Sequence, residues 1–77
     1  MCDTVVVPFC GESFRIVTLD RWHKAPGDMV EEGEVLCELD TDKIIVEVHS
    51  PRAGKLVKRF AAAGAQVKIG ELLAEIC

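Results

Sequence analysis

Gly27–Leu39 reads GDMVEEGEVLCEL, and Gly64–Ile76 reads GAQVKIGELLAEI. At an offset of 37 residues Gly27 falls on Gly64, Val30 on Val67, Gly33 on Gly70, Glu34 on Glu71, Leu36 on Leu73 and Glu38 on Glu75. Leu39 and Ile76 are both apolar, and Leu19 and Leu56 continue the register upstream. So many matches, with both glycines in place, mark an internal duplication, and a duplication decides the architecture.

Each half has the same grammar. A strand opens it (IVTLDRW or GKLVKRF), and a polar turn follows, closed by Gly27 or Gly64. A short piece centred on Val30 or Val67, a second turn at Gly33 or Gly70, and a final strand complete it. Val, Ile and Thr dominate the apolar runs, and Gly or Pro interrupts them too often for helices. The Ala-rich segment RFAAAGA is too short for more than a helical turn and reads as a loop. Neither half is large enough to bury its own apolar face, so the two must share one core. The expected fold is all-β: a flattened barrel or sandwich of two four-stranded antiparallel sheets with quasi-two-fold symmetry. The expected core is Val5, Val7, Val17, Leu19, Val30, Leu36, Leu39, Val46, Val48, Leu56, Val67, Leu73 and Ile76, with Trp22 part-buried at its edge.

The chain has 77 residues, enough for one domain, with 49% hydrophobic and 29% charged residues, ordinary for a globular fold. Nine basic residues are scattered among thirteen acidic ones, for a net charge of −4. With no basic patch, nucleic-acid binding is not expected. No apolar run approaches the roughly 20 residues of a membrane span, and the start MCDTVVVPFC has no signal-peptide pattern. Cys2, Cys10, Cys37 and Cys77 form no Cys-x-x-Cys pair, and His23 and His49 are not at zinc-ligand spacing from them. No metal site is expected. The cysteines are expected to be free thiols, with Cys37 in or near the core. The Gly-Glu-Ser of PFCGES is no nucleophile elbow, and no catalytic residue is expected.

The stretch ELDTDKIIVEV, Glu38–Val48, joins the halves. Shifted by 37 residues, Asp40–Lys43 fall just past Cys77. The two-fold therefore puts this turn at one end of the sandwich and both termini at the other. Asp40-Thr41-Asp42-Lys43 reads as a tight turn, since Asp favours the first position through a side-chain bond to the backbone ahead. After it Ile44, Val46 and Val48 alternate with Ile45 and Glu47. Lys43 should be exposed, and Asp40 and Asp42 favour its ammonium form, which disqualifies it as a nucleophile. If Lys43 matters, another enzyme acts on it.

These residues resemble the lipoyl domain of 2-oxo acid dehydrogenase complexes, a member of the biotinyl/lipoyl carrier family, from about Thr4 to Ile76. The resemblance rests on VVVP, GES, Trp22, GDMVEEGEVLCELDTDK, VEVHSPRAGKL and GAQVKIGELLAEI. It implies that Lys43 carries amide-linked lipoic acid, with Asp40, Thr41 and Asp42 recognised as part of the attachment turn and Gly11, Glu12 and Ser13 lying in a partner-recognition loop. It implies a swinging arm, attached by a lipoyl ligase or transferase. The arm would be acylated by a thiamine-diphosphate decarboxylase component, unloaded at an acyltransferase core and reoxidised by dihydrolipoamide dehydrogenase. Similarity is strongest to the 2-oxoglutarate, succinyl-transferring type. The alternatives are a pyruvate or branched-chain complex, a biotin carrier, or an unmodified interaction module. A biotin lysine is normally flanked by methionines, and Lys43 has Asp42 and Ile44. Residues 1–77 are expected to form one non-catalytic, monomeric domain, an N-terminal part of a longer acyltransferase. The mitochondrial matrix is expected, with bacterial cytoplasm as the alternative. One departure stands out: after GES the family commonly has Glu-Gly two residues on, where this chain has Ile16-Val17.

Overall fold

The computed structural model describes residues 1–9, 16–41 and 44–77. Its eight strands are β1 (Asp3–Val6), β2 (Ile16–Trp22), β3 (Met29–Val30), β4 (Val35–Asp40), β5 (Ile45–His49), β6 (Gly54–Arg59), β7 (Gln66–Lys68) and β8 (Leu72–Ile76). They form two four-stranded sheets, ordered β1-β8-β6-β3 and β5-β4-β2-β7, with every pair antiparallel.

A shift of 37 residues turns β2, β3 and β4 into β6, β7 and β8, and it turns one sheet into the other. The symmetry reaches individual turn bonds. Gly27 N–H donates to Leu56 O (2.7 Å), and Gly64 N–H to Leu19 O (2.7 Å). His23 N–H donates to Leu36 O, and Phe60 N–H to Leu73 O, both at 2.8 Å. The Glu34 carboxylate accepts from Glu31 N–H (2.9 Å), and that of Glu71 accepts from Lys68 N–H (3.0 Å). The turn glycines 33 and 70 have φ of 84° and 87°, a region closed to most side chains. The short strands are exchanged between the halves: β3 pairs with β6 of the second half, and β7 with β2 of the first.

Twelve of the thirteen expected core residues are buried; Val46 is only half-buried. Val46 sits opposite Leu39 on the edge strand β5, where its counterpart on β1, opposite Ile76, is the exposed Asp3. Cys37 and Ala74, which occupy equivalent positions, are both fully buried. Each follows another buried residue, Leu36 or Leu73, because the register slips by one residue there. Such a bulge points two successive side chains inward, which strict alternation does not allow. Trp22 is half-buried as expected; its indole N–H donates to Ala61 O (3.0 Å), and the Arg59 guanidinium lies 5.4 Å over its ring.

The cysteine expectation fails at two positions. Cys2 and Cys77 form a disulfide, while Cys37 is a free buried thiol. The register brings the pair together, because Asp3 opposite Ile76 leaves Cys2 facing Cys77 one step further out. Cys10 lies outside the described residues.

The Lys24–Glu34 ion pair has no symmetric copy, since the counterpart of Lys24 is Ala61. Lys24 Nζ lies 2.6 Å from Glu34 Oε2. That bond, reinforced by the Glu31 N–H, holds the Glu34 carboxyl below its ordinary 4.5 and raises Lys24. A depressed carboxylate stabilises the fold above its unfolded pKa, and the contribution is lost as pH falls through the folded one. Glu34→Gln should therefore lose less stability than the parent on acidification below about pH 4.5. The two should run parallel between pH 6 and 9. Urea midpoints against pH check this; identical acid limbs would remove Glu34 from the account.

Candidate functional site

β4 is an inner strand, hydrogen-bonded on both sides, and β5 is the edge strand that returns beside it. Leu36, Cys37 and Leu39 anchor β4 in the core, so the turn beyond Asp40 projects from a rigid base. Asp40 is the last residue of β4, opposite both Ile45 and Thr18. Thr41 N–H donates to Ile44 O (3.0 Å). The Thr41 hydroxyl donates to the same carbonyl (2.8 Å) and accepts from Ile44 N–H (3.1 Å). The chain thus reverses between Thr41 and Ile44, one residue later than the sequence suggested, and a threonine hydroxyl supplies the side-chain bond expected of Asp40. Asp42 and Lys43 lie outside the described residues, as do Gly11, Glu12 and Ser13 of the expected partner loop.

The reversal lies at one end of a domain 33 Å long, with extents of 20 and 17 Å across. Asp3 opposite Ile76 puts the two chain ends together, and the two-fold sets them at the opposite end. Several exposed apolar residues flank the reversal: Ile44 (57% exposed) and Ile45 (49%) on the hairpin, and Ile16 (52%) at the start of β2. Ile45 was legible from alternation; the gathering of this fringe at one end was not, because it depends on pairing between distant strands. Ile16 is also where the family pattern would have a charged residue.

Neither histidine lies at this end. His23 follows β2 and bonds Leu36; His49 faces Val35, at the far end of β4. His23 Nε2 is 3.4 Å from Glu38, and His49 Nε2 is 3.6 Å from Glu47, while His49 Nδ1 donates to Gly33 O at 2.7 Å. Among the described residues no group of three or more His, Cys, Asp or Glu side chains could hold a metal ion. No helix of the described residues is long and apolar enough to cross a membrane. Burial pushes the Cys37 thiol up to about 12, with the charge of Glu38 adding to the effect, so it is no nucleophile. What the described residues offer is a chain reversal on a stiff two-stranded base, with Ile44 and Ile45 exposed beside it.

A family described as "Biotin-requiring enzyme", the biotin/lipoyl domain family, matches residues 3–76. The dihydrolipoyllysine-residue succinyltransferase component of the 2-oxoglutarate dehydrogenase complex of Rickettsia bellii is 40% identical over 72 residues. That alignment covers 94% of this chain and 18% of the relative. The acetyltransferase component of the pyruvate dehydrogenase complex of Corynebacterium glutamicum is 42% identical over 72 residues, 94% of this chain and 11% of the relative. The chain thus spans less than a fifth of the length of either. The solution structure of the lipoyl domain of the 2-oxoglutarate dehydrogenase complex from Azotobacter vinelandii superposes with a TM-score of 0.79 at 31% identity, covering 96% of this chain and 94% of that one.

Proposed function

Because the chain belongs to the biotin/lipoyl domain family and has the fold of a lipoyl domain, we propose that it is a lipoyl-lysine carrier with Lys43 as the attachment residue. The observation that carries this reading is the reversal between Thr41 and Ile44, braced by hydrogen bonds between these two residues at the end opposite the chain ends. A covalent arm needs an anchor and free space around it rather than a pocket, and the exposed flanks of this turn fit that need. Asp40, Thr41 and Asp42 would serve as the address read by a lipoyl ligase or transferase. When attached, the lipoyl group supplies a dithiolane able to take up an acyl group and two electrons. The chain's own contribution is to hold the anchor rigidly and to raise the effective concentration of the arm at its partners.

The proposed partners are a thiamine-diphosphate decarboxylase component, met partly through Gly11, Glu12 and Ser13, an acyltransferase core, and dihydrolipoamide dehydrogenase. The domain would be a non-catalytic, monomeric unit near the N-terminus of a longer acyltransferase. Succinyl is the favoured cargo, supported by the Rickettsia and Azotobacter relatives. The acetyltransferase relative keeps the pyruvate type as the second reading. The relatives named here are bacterial, which favours bacterial cytoplasm over the mitochondrial matrix as the setting.

Co-expression with a lipoyl ligase should add one lipoyl mass to the intact protein, and Lys43→Ala should abolish the gain. The modified domain should then be acylated faster by a 2-oxoglutarate decarboxylase component than by a pyruvate or branched-chain one. An equal gain in the alanine variant would reject the anchor. A faster pyruvate or branched-chain reaction would reject the cargo alone, and modification by a biotin ligase instead would move the chain to the other branch of its family.

A further inference from the structure

The Cys2–Cys77 disulfide occupies a definite place in the duplication. The next rung of β1 and β8 beyond Asp3–Ile76 corresponds, under the 37-residue shift, to Asp40 opposite Ile45, the last rung before the hairpin. A sulfur–sulfur bond across a Cα–Cα distance of 4.2 Å thus stands where the other end of the molecule has a peptide connection.

Its two halves are held unequally. The Cys77 backbone bonds both ways with Lys55, donating to Lys55 O (2.9 Å) and accepting from Lys55 N–H (3.3 Å). It lies so close over Gly54 that a Cβ there would come within 2.9 Å of the Cys77 carbonyl group. Cys2 leads into β1, an edge strand bonded to β8 alone. Beyond that strand, Arg52 Nη1 donates to Met1 O at 2.9 Å. Both bonded cysteines are exposed, whereas the free Cys37 is fully buried. The chain therefore combines an open cystine with a sealed thiol, and the open one ties a weakly held strand to a firmly held one.

We propose that Cys2–Cys77 is a thiol–disulfide exchange site for dithiols, whose reduction releases β1 and leaves the hairpin end intact. A thiolate of the dithiol attacks one Sγ, the Cys2–Cys77 bond breaks, and a mixed disulfide forms as the other cysteine leaves as thiolate. The second thiol of the reagent then displaces the first cysteine and closes a cyclic disulfide. Two electrons and two protons pass from the dithiol to the cysteines, so the reagent is oxidised and the cystine reduced.

The test uses the Cys10→Ser chain, treated with dithiothreitol or left untreated, then alkylated and weighed intact. The untreated native protein should take no label, the reduced native protein two, and a third only on unfolding, when Cys37 is exposed. Hydrogen exchange at the β1 amides should rise at least about tenfold on reduction and exceed that at β4 and β5, which follows global unfolding. Oxidised glutathione should restore the slow exchange, and Lys43→Ala should change none of this, which separates the site from the carrier reading. Two labels before reduction, a cystine that yields only after unfolding, or unchanged exchange in β1 would overturn the proposal.

Discussion

Leu19→Ala and Leu56→Ala should each destabilise the domain by about 3–5 kcal/mol, and by the same amount within about 1 kcal/mol. Both side chains are fully buried, and each backbone carbonyl accepts from the equivalent turn glycine, Gly64 or Gly27, at 2.7 Å. The cavity term dominates such truncations, and equivalent surroundings should relax to an equivalent extent. A domain of this length has a total stability of roughly 4–12 kcal/mol, so either variant stands near its unfolding threshold and the double variant should be unfolded at room temperature. Urea titrations with an unchanged m-value check the equality. A difference of 2 kcal/mol or more between the two would mean that the symmetry of the backbone does not extend to the packing.

Losing the disulfide should be comparably costly. It closes a sequence separation of 75 residues. Restricting so long a loop in the unfolded chain accounts for up to about 4.5 kcal/mol, and measured values more often fall at 2–4. At 4–8 °C per kcal/mol for a domain of this size, Cys77→Ser should melt at least about 8 °C below the oxidised parent. A reducing agent should lower the parent to the same midpoint and leave Cys77→Ser unmoved. Equal midpoints for the parent with and without reductant would show that β1 and β8 hold the ends together without help. This effect on global unfolding is separate from the local release of β1, since one acts on the unfolded ensemble and the other on the native one.

The glycine-spaced duplication made the sheets, the turns and most of the core legible in the sequence. Gly27, Gly33, Gly64 and Gly70 all have positive φ, between 84° and 98°, in the turns where the repeat set them. What escaped was whatever alternation does not encode. The bulges that bury Cys37 and Ala74 beside Leu36 and Leu73 add a residue to one strand without changing its composition. Val46, near the hairpin end of β5, packs against the core yet stays half-buried. The repeat set both chain ends at one end of the sandwich, yet no spacing rule reports a bond between residues 75 apart. At the candidate site a turn near Asp40 and the exposure of Ile45 were legible, while the exposure of Ile44 and the bracing by Thr41 in place of Asp40 depended on where β4 stops pairing.

The exchange of β3 and β7 between halves has a consequence for how the chain is threaded. Because each half completes the other's sheet, neither stands as a separable folding unit, and a chain cut between them would have to find its complement to fold. The order in which the strands are strung matters much less. The gap between Cys77 and Cys2 and the loop between Asp40 and Ile45 occupy equivalent stations, so a circular permutant opened at the hairpin and joined across the old ends would trace the same eight strands. The backbone does not mark which end carries the proposed anchor; a few side chains at one of two interchangeable stations make that distinction.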